Sequence, residues 1–204
     1  MSSVLPIPFE FDPASHIFRK QGIEVPSVTQ VLARAGICDY SFVDEETREY
    51  SMARGTSVHW MTQLEDEGGL DYRRVPWKLR GYRKAWRAWK QASEFRPVTI
   101  EQQFISRYGY AGIIDRVGSL PPLYYPNVVV DIKTGAVPDW ARYQLAAYSV
   151  FAAGDNPKYA AHFRRIAVRL CLDGTYKVRE FPRATWQLDW CKFISLVGRI
   201  NGNA

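Results

Sequence analysis

The sequence predicts a mixed α/β domain in which helices precede three strands, a helix follows, and two more strands lead into a closing helix. Three observations carry this expectation. Residues 98–133 hold three strand-like runs, VTIEQQFIS, GIIDRVGS and NVVVDIK, separated by the turn-rich segments RYGYAG and LPPLYYPN. The three valines at 128–130 form a continuous apolar run, as expected of a strand covered on both faces. The stretch PWKLRGYRKAWRAWKQ at 76–91 repeats its aromatic residues at helical spacing. With 204 residues and 47% hydrophobic content, the chain is long enough to bury one sizeable core. The expectation is a single domain over 1–204, with an N-terminal hairpin and helix flap (1–43), a helical region (44–95) and an α/β core (96–204).

HIFRKQGIEVPS reads as a short hairpin. Ser27 and Gln30 then fit a capping box that opens the helix VTQVLARAG, closed by Gly36. A second helix begins near Asp44 with acids in its first turn. Gly55 is expected to interrupt it, Thr56 to cap a new helix, and His59 to fall in that helix's first turn. After Pro76, a wheel at ~100° per residue puts Leu79, Tyr82, Trp86 and Trp89 on one face and Arg80, Arg83, Lys84, Arg87 and Lys90 on the other. The aromatic face suits a core. The cationic face is open to two readings, a solvated surface or one that attracts phosphate, with a membrane-surface helix as a third option. Beyond the three strands, Pro138 opens the helix DWARYQLAAYSVFAAG, which Gly154 closes. RRIAVRLCL and TYKVREF form a hairpin across Asp173 and Gly174, and a final helix runs roughly from Thr185 to Ile200.

The formal net charge of +6 suits a polyanionic partner, although such an excess also occurs in proteins that have none. Cys38, Cys171 and Cys191 stand singly, so neither a disulfide framework nor a four-cysteine metal or iron–sulfur set is expected, and a reducing, cytoplasmic setting is. The N-terminal residues MSSVLPIPFEFDP lack the pattern of a secretion signal, and no apolar run reaches the ~18 residues of a membrane span, so no membrane partner is expected.

The chemistry concentrates between residues 110 and 148. Side chains alternate along a strand, so Asp131 and Lys133 point to the same side. Asp115 lies sixteen residues before Asp131, which suits neighbouring strands and brings two acids and a lysine together. Charges at the end of a buried strand are costly without a compensating partner. Two carboxylates are hard ligands suited to Mg²⁺ or Mn²⁺. Gln144 and Tyr148, at i and i+4, share a helical face; core packing is an alternative role for Tyr148, less so for Gln144.

RGTSVH at 54–59, GIIDRV at 112–117, VVVDIKTG at 128–135 and QLAAY at 144–148 together resemble the RecB-type branch of the PD-(D/E)XK nuclease superfamily, which includes phage-encoded and mitochondrial genome maintenance members. The resemblance covers roughly residues 50–150 and lies in the order and spacing of four short motifs. Ile114 stands where the superfamily's name has proline, and neither a cysteine cluster nor a Walker A motif is present. The resemblance implies a restriction-endonuclease-like core with a central mixed sheet flanked by helices. It implies a divalent-metal-dependent DNA nuclease, an exonuclease in preference to an endonuclease, acting in replication, recombination or repair. In that reading Asp115 and Asp131 hold Mg²⁺ or Mn²⁺, the Ile132 carbonyl adds a neutral ligand, and His59 is an extra one. Glu101 is a further ligand or a plain surface acid. Lys133 activates water or, as an ammonium, stabilises the transition state. Arg54, Arg116 and Arg142 grip phosphates or are solvated. The alternatives are a non-catalytic DNA-binding module on the same fold, a structure-specific endonuclease and an RNA-directed nuclease. Polarity, strand preference and oligomeric state are left open by the sequence.

Overall fold

A computed structural model of the chain describes residues 9–38, 44–123 and 125–202. Parts of the expected flap, at 1–8 and 39–43, lie outside the described residues, as does Tyr124 in the Pro-rich loop. Strands β1 (Phe9–Asp12), β2 (Ile17–Lys20) and β3 (Ile23–Val25) make a small antiparallel sheet. The expected hairpin is β2–β3, and β1 joins it by laying Phe11 against Phe18 with ring centroids 4.5 Å apart. Helix α1 (Val28–Arg34) opens with the expected capping box: Ser27 Oγ accepts from the Gln30 amide at 3.2 Å, and Gln30 Oε1 accepts from the Ser27 amide at 2.9 Å. Such a cap contributes about 1 kcal/mol.

Helix α2 (Glu45–Asp66) corrects one expectation. It runs unbroken through Gly55, its cap is Asp44, and His59 lies well inside it instead of in a first turn begun at Thr56. A glycine within a helix costs only about 1 kcal/mol, so one glycine does not break a helix whose later turns dock. Here Val58, Met61 and Thr62 are buried. After a 3-10 turn at Tyr72–Arg74, α3 (Trp77–Ser93) buries Tyr82, Ala85, Trp86 and Trp89, with the two indoles stacked at 5.1 Å.

The central sheet has five strands, β4 (Arg96–Ile105), β5 (Ala111–Ser119), β6 (Val128–Lys133), β7 (Arg164–Leu170) and β8 (Tyr176–Phe181), in that spatial order. Only β6 and β7 pair in parallel. Their connection carries α4 (Ala141–Ala152) and the short α5 (Pro157–Ala160), as a crossover between parallel strands requires. Helix α6 (Trp186–Asn201) ends the fold.

The valine run divides between two cores. Val128, Val130 and Ile132 pack with Trp86 and Trp89 of α3, whereas Val129 packs with Leu145 and Tyr148 of α4 and Phe193 of α6. The chain is therefore α/β, with a mixed sheet covered by helices on both faces. Strand β6, buried throughout its first five residues, ends in Asp131 and Lys133. Among the described residues no helix is long and apolar enough to cross a membrane.

Candidate metal centre

The site forms where two strands part. The β5–β6 ladder runs from Gly118 opposite Val128 to Arg116 opposite Val130 and stops there. One residue further on, Asp115 takes over from the ladder with its side chain: its Oδ2 accepts from the Ile132 amide at 2.6 Å. On the other side of β5, the β4 ladder pairs Ile100 with Arg116 and Gln102 with Ile114, and Glu101 and Asp115 between them are not paired. Glu101 adopts φ +47°, a left-handed conformation that costs a non-glycine residue about 1–3 kcal/mol. It turns the carboxylate toward α2, where Glu101 Oε1 lies 3.5 Å from His59 Nδ1.

His59 completes the group. Its Nδ1 is 3.4 Å from Asp115 Oδ1, and its Nε2 is 3.0 Å from the carbonyl of Ile132. A carbonyl only accepts, so Nε2 carries a hydrogen and Nδ1 is the nitrogen turned to the acids. Potential ligand atoms of His59, Glu101 and Asp115 all lie within 4.8 Å of one another. Asp131 lies outside that tight set and is held by Lys133, whose Nζ is 2.9 Å from both carboxylate oxygens. Only the contact to Oδ1 has hydrogen-bond geometry, so Oδ2 is a buried oxygen with no hydrogen-bond partner among the described residues. Lys133 also reaches Gln144 Oε1 at 3.4 Å, and Gln144 Nε2 donates to the Tyr148 hydroxyl at 3.0 Å. Gln144 thus links Tyr148 to the lysine, while the Tyr148 ring packs edge-on against Phe104 at 5.9 Å.

The electrostatics are those of crowded acids around one imidazole. Burial opposes charge on His59, yet Asp115 and then Glu101 outweigh it and raise its pKa to about 9. Burial raises Asp115 to about 7; His59 works against that rise, and Asp131 adds to it. Burial also opposes the Lys133 charge, but Asp131 and Asp115 overcome this and hold the amine above its ordinary value. Of the two roles left open by the sequence, this environment favours the ammonium. Burial, followed by Asp131, pushes the Tyr148 phenol up, so it remains a neutral hydroxyl.

The donor set fits a hard divalent cation. Carboxylate oxygens of Glu101 and Asp115 and one imidazole nitrogen converge in the tight set, and Asp131, whose buried Oδ2 has no hydrogen bond among the described residues, lines the same cleft. Without a cation, the imidazolium is what offsets the acids. The cleft measures about 650 Å³ and is lined by His59, Glu101, Asp115, Asp131, Lys133, Gln144 and Tyr148. Pro13 and His16, from the β1–β2 turn, line it from one side, and exposed Met52 and Trp60 of α2 line it from another.

Several cations expected at phosphates have other partners. Arg116 is fully buried, with Asp66 Oδ2 at 2.7 Å, Glu101 Oε1 at 2.9 Å, Thr62 Oγ1 at 3.1 Å and its neighbour's carbonyl at 2.5 Å. It is a structural cation out of reach of a phosphate. Arg142 Nε donates to buried Asp189 at 2.6 Å, and Asp189 also holds Arg165 at 2.8 Å. Arg54 stands on the opposite side of α2 from the cleft, over the Tyr50 ring.

The cationic face of α3 meets acids supplied by α2. Arg83 grips Glu65 at 2.6 and 3.3 Å, and Arg87 approaches the same acid at 3.6 Å. Lys90 is bonded to Asp66, Arg80 caps the Val75 carbonyl at 3.2 Å, and Lys84 is exposed beside Gly174. The sequence reading missed Asp66, Glu65 and Trp60. Spacing within α3 cannot announce acids on another helix, whereas a tryptophan directly after His59 is visible in the sequence. No family model matches the chain, and comparison with curated proteins finds no match.

Proposed function

We propose that this chain is a divalent-metal-dependent DNA nuclease, an exonuclease by preference, on a RecB-type PD-(D/E)XK core. The observation that carries the reading is the convergence of His59, Glu101 and Asp115 beside the Asp131–Lys133 pair, in an open cleft where β5 and β6 part. The motif order noted in the sequence supports it, since RGTSVH, GIIDRV, VVVDIKTG and QLAAY each contribute a residue to one cleft. The left-handed Glu101 supports it as well, because strain of this kind persists where the surroundings demand it and clusters at functional sites.

A bound Mg²⁺ or Mn²⁺ would supply charge neutralisation at the phosphate and a more acidic water. Glu101, Asp115 and His59 Nδ1 are the residues to hold it, with Asp131 lining the same cleft. The Ile132 carbonyl, expected as a ligand, instead sits against His59 Nε2 and fixes which imidazole nitrogen faces the acids. Lys133, kept as an ammonium, is placed to stabilise charge that develops on the phosphate oxygens while water adds to phosphorus and the ester oxygen leaves. Gln144 orients Lys133 and is itself fixed by Tyr148. Trp60 and Met52 offer apolar surface for bases next to the scissile phosphate.

The test is a time course on end-labelled DNA, single- and double-stranded, linear and circular, with Mg²⁺, Mn²⁺ or EDTA. Metal-dependent release of short products from linear DNA, with circles spared, is the expected result. Metal-dependent cutting of circles would replace the exonuclease reading with an endonuclease. No cleavage of DNA with either metal would overturn the proposal.

A further inference from the structure

Across α2 from the cleft lies a second concavity of about 450 Å³, lined by Tyr50, Arg54, Trp77, Lys78, Tyr82 and Leu172 among others. Three features set it apart from ordinary surface. Tyr50, Trp77 and Leu172 are 60%, 71% and 57% exposed, an apolar patch that costs solvation unless something covers it. Each exposed aromatic ring carries a cation: the Arg54 guanidinium stands 5.7 Å from the Tyr50 centroid, and the Lys78 ammonium 5.7 Å from that of Trp77. Among the described residues the buried Nε of Arg54 has no hydrogen-bond partner and no acid lines the groove. The floor is fixed as well. Gly81 brings α3 so close to the β7–β8 turn that a Cβ there would meet the Leu172 carbonyl oxygen at 1.6 Å.

We infer that this groove is a second nucleic-acid subsite, which takes bases of a single-stranded segment on Tyr50 and Trp77 and its phosphate on Arg54 and Lys78. Flat rings beside unpaired cations match the alternation of base and phosphate along a strand, and stacking needs no particular base. A double helix is the poorer occupant, because its bases are paired inside and cannot reach a ring. The inference rests on the nuclease reading for its meaning. Met52, Thr56 and His59 line the cleft while Tyr50, Arg54 and Ser57 line the groove, so one strand laid over α2 would engage both. A helix with its side chains is about 10–12 Å across, so a strand leaving the cleft must be several nucleotides long to arrive.

Fluorescence anisotropy with labelled oligothymidylates of about four and about twelve nucleotides tests this in EDTA at low salt, where nothing is cut. The wild-type chain should bind the longer probe more tightly. The Tyr50→Ala/Trp77→Ala variant, altered only at exposed rings, should bind the longer probe at least about tenfold more weakly and the shorter one unchanged. Arg54→Gln should lower the magnitude of the log–log salt slope by about 0.7, the value of one phosphate contact on a single strand. Equal binding of the long probe by the wild type and the double variant would overturn the inference. So would a double variant that changes only its sedimentation, since the groove would then be a surface for another protein or a second copy. Absence of any oligonucleotide binding would overturn it too. Because binding is read without cleavage, an Asp131→Asn chain that fails to cut yet binds through Trp77 separates this inference from the nuclease reading.

Discussion

Two clusters of buried charge sit either side of Glu101, and they differ in one respect. In the first, Asp66 accepts from Trp86 Nε1 at 3.0 Å, from Arg116 Nε at 2.7 Å and from Lys90, while Arg116 also donates to Glu101, Thr62 and a carbonyl. Both side chains are fully buried. In the second, two acids, Glu101 and Asp115, crowd one imidazole, Asp131 beside them retains an oxygen without a hydrogen bond among the described residues, and the group faces an open cleft. Both carry acids and cations in quantity, so charge content does not separate them. The closed cluster has a partner for each charge and holds elements together, whereas the open one leaves one acid oxygen, Asp131 Oδ2, without a hydrogen bond among the described residues and lines a cleft. Glu101 belongs to both, which couples the position of the site to the core.

That difference predicts opposite responses to similar substitutions. The largest effect is expected at the open cluster. Asp115→Asn or Asp131→Asn should lower Mn²⁺-dependent cleavage by at least about a hundredfold and weaken Mn²⁺ binding by calorimetry, with the fold retained. Asp115→Asn is the milder for stability, since burial already disfavours its charge and the amide oxygen can still accept from Ile132. Cleavage at the wild-type rate by either variant would remove the cluster from the chemistry. Lys133→Ala should lose about a hundredfold in kcat while Mn²⁺ still binds, because the ammonium acts on the reacting phosphate and does not ligate. Proportional loss of DNA binding would instead make Lys133 a phosphate clamp.

At the closed cluster the same change of charge should act on folding. Asp66→Asn strands Arg116 and Lys90 without their anion, and removing one partner of a buried pair costs about 3–5 kcal/mol. Urea denaturation measures it directly, with cleavage per folded molecule expected to fall much less than in Asp115→Asn. A melting curve unchanged by Asp66→Asn would show that the pair contributes nothing net and that the comparison of clusters fails.

Part of the open cluster is legible in the sequence through periodic signals, whereas His59 is reached only through the resemblance and Glu101 stays open between a ligand and a surface acid. Asp131 and Lys133 share a strand face, Gln144 and Tyr148 a helical one, and the valine run marks β6 as central. The closed cluster was illegible for a physical reason: Asp66 and Arg116 are fifty residues apart, and neither position announces its burial. Arg116 next to Asp115 therefore read as a phosphate ligand. The α2 acids that Arg83, Arg87 and Lys90 of α3 meet are hidden from the sequence for the same reason, while Arg80, Lys84 and Arg87 stay exposed and that face stays open to both readings. Gly55 misled through propensity, which tertiary docking of the later turns overrides. The parallel pairing of β6 and β7, like β1 and its small sheet, depends on long-range contacts that local pattern does not carry.

The smallest expected effect marks the other end of the comparison, an ion pair neither closed off nor functional. Arg164 on β7 clasps Glu180 on β8 in bidentate fashion, Nε to Oε1 at 2.8 Å and Nη2 to Oε2 at 2.7 Å, with side chains 33% and 40% exposed. The hydrogen bonds from Arg164 hold the Glu180 carboxyl below its ordinary value of 4.5, burial working against them. A depressed folded pKa means the carboxylate stabilises the fold above the unfolded value, and that this contribution is lost as pH falls through the folded value. Solvent screens a pair this exposed, so Glu180→Gln should cost only about 0.2–1 kcal/mol near neutral pH. Urea titrations of wild type and Glu180→Gln should therefore differ slightly near neutral pH and draw together as pH falls below the usual carboxylate range. High salt should bring them together in the same way. A difference that survives acid and salt alike would come from packing of the glutamate stem against β7, and the bidentate geometry would then carry no charge-dependent stability.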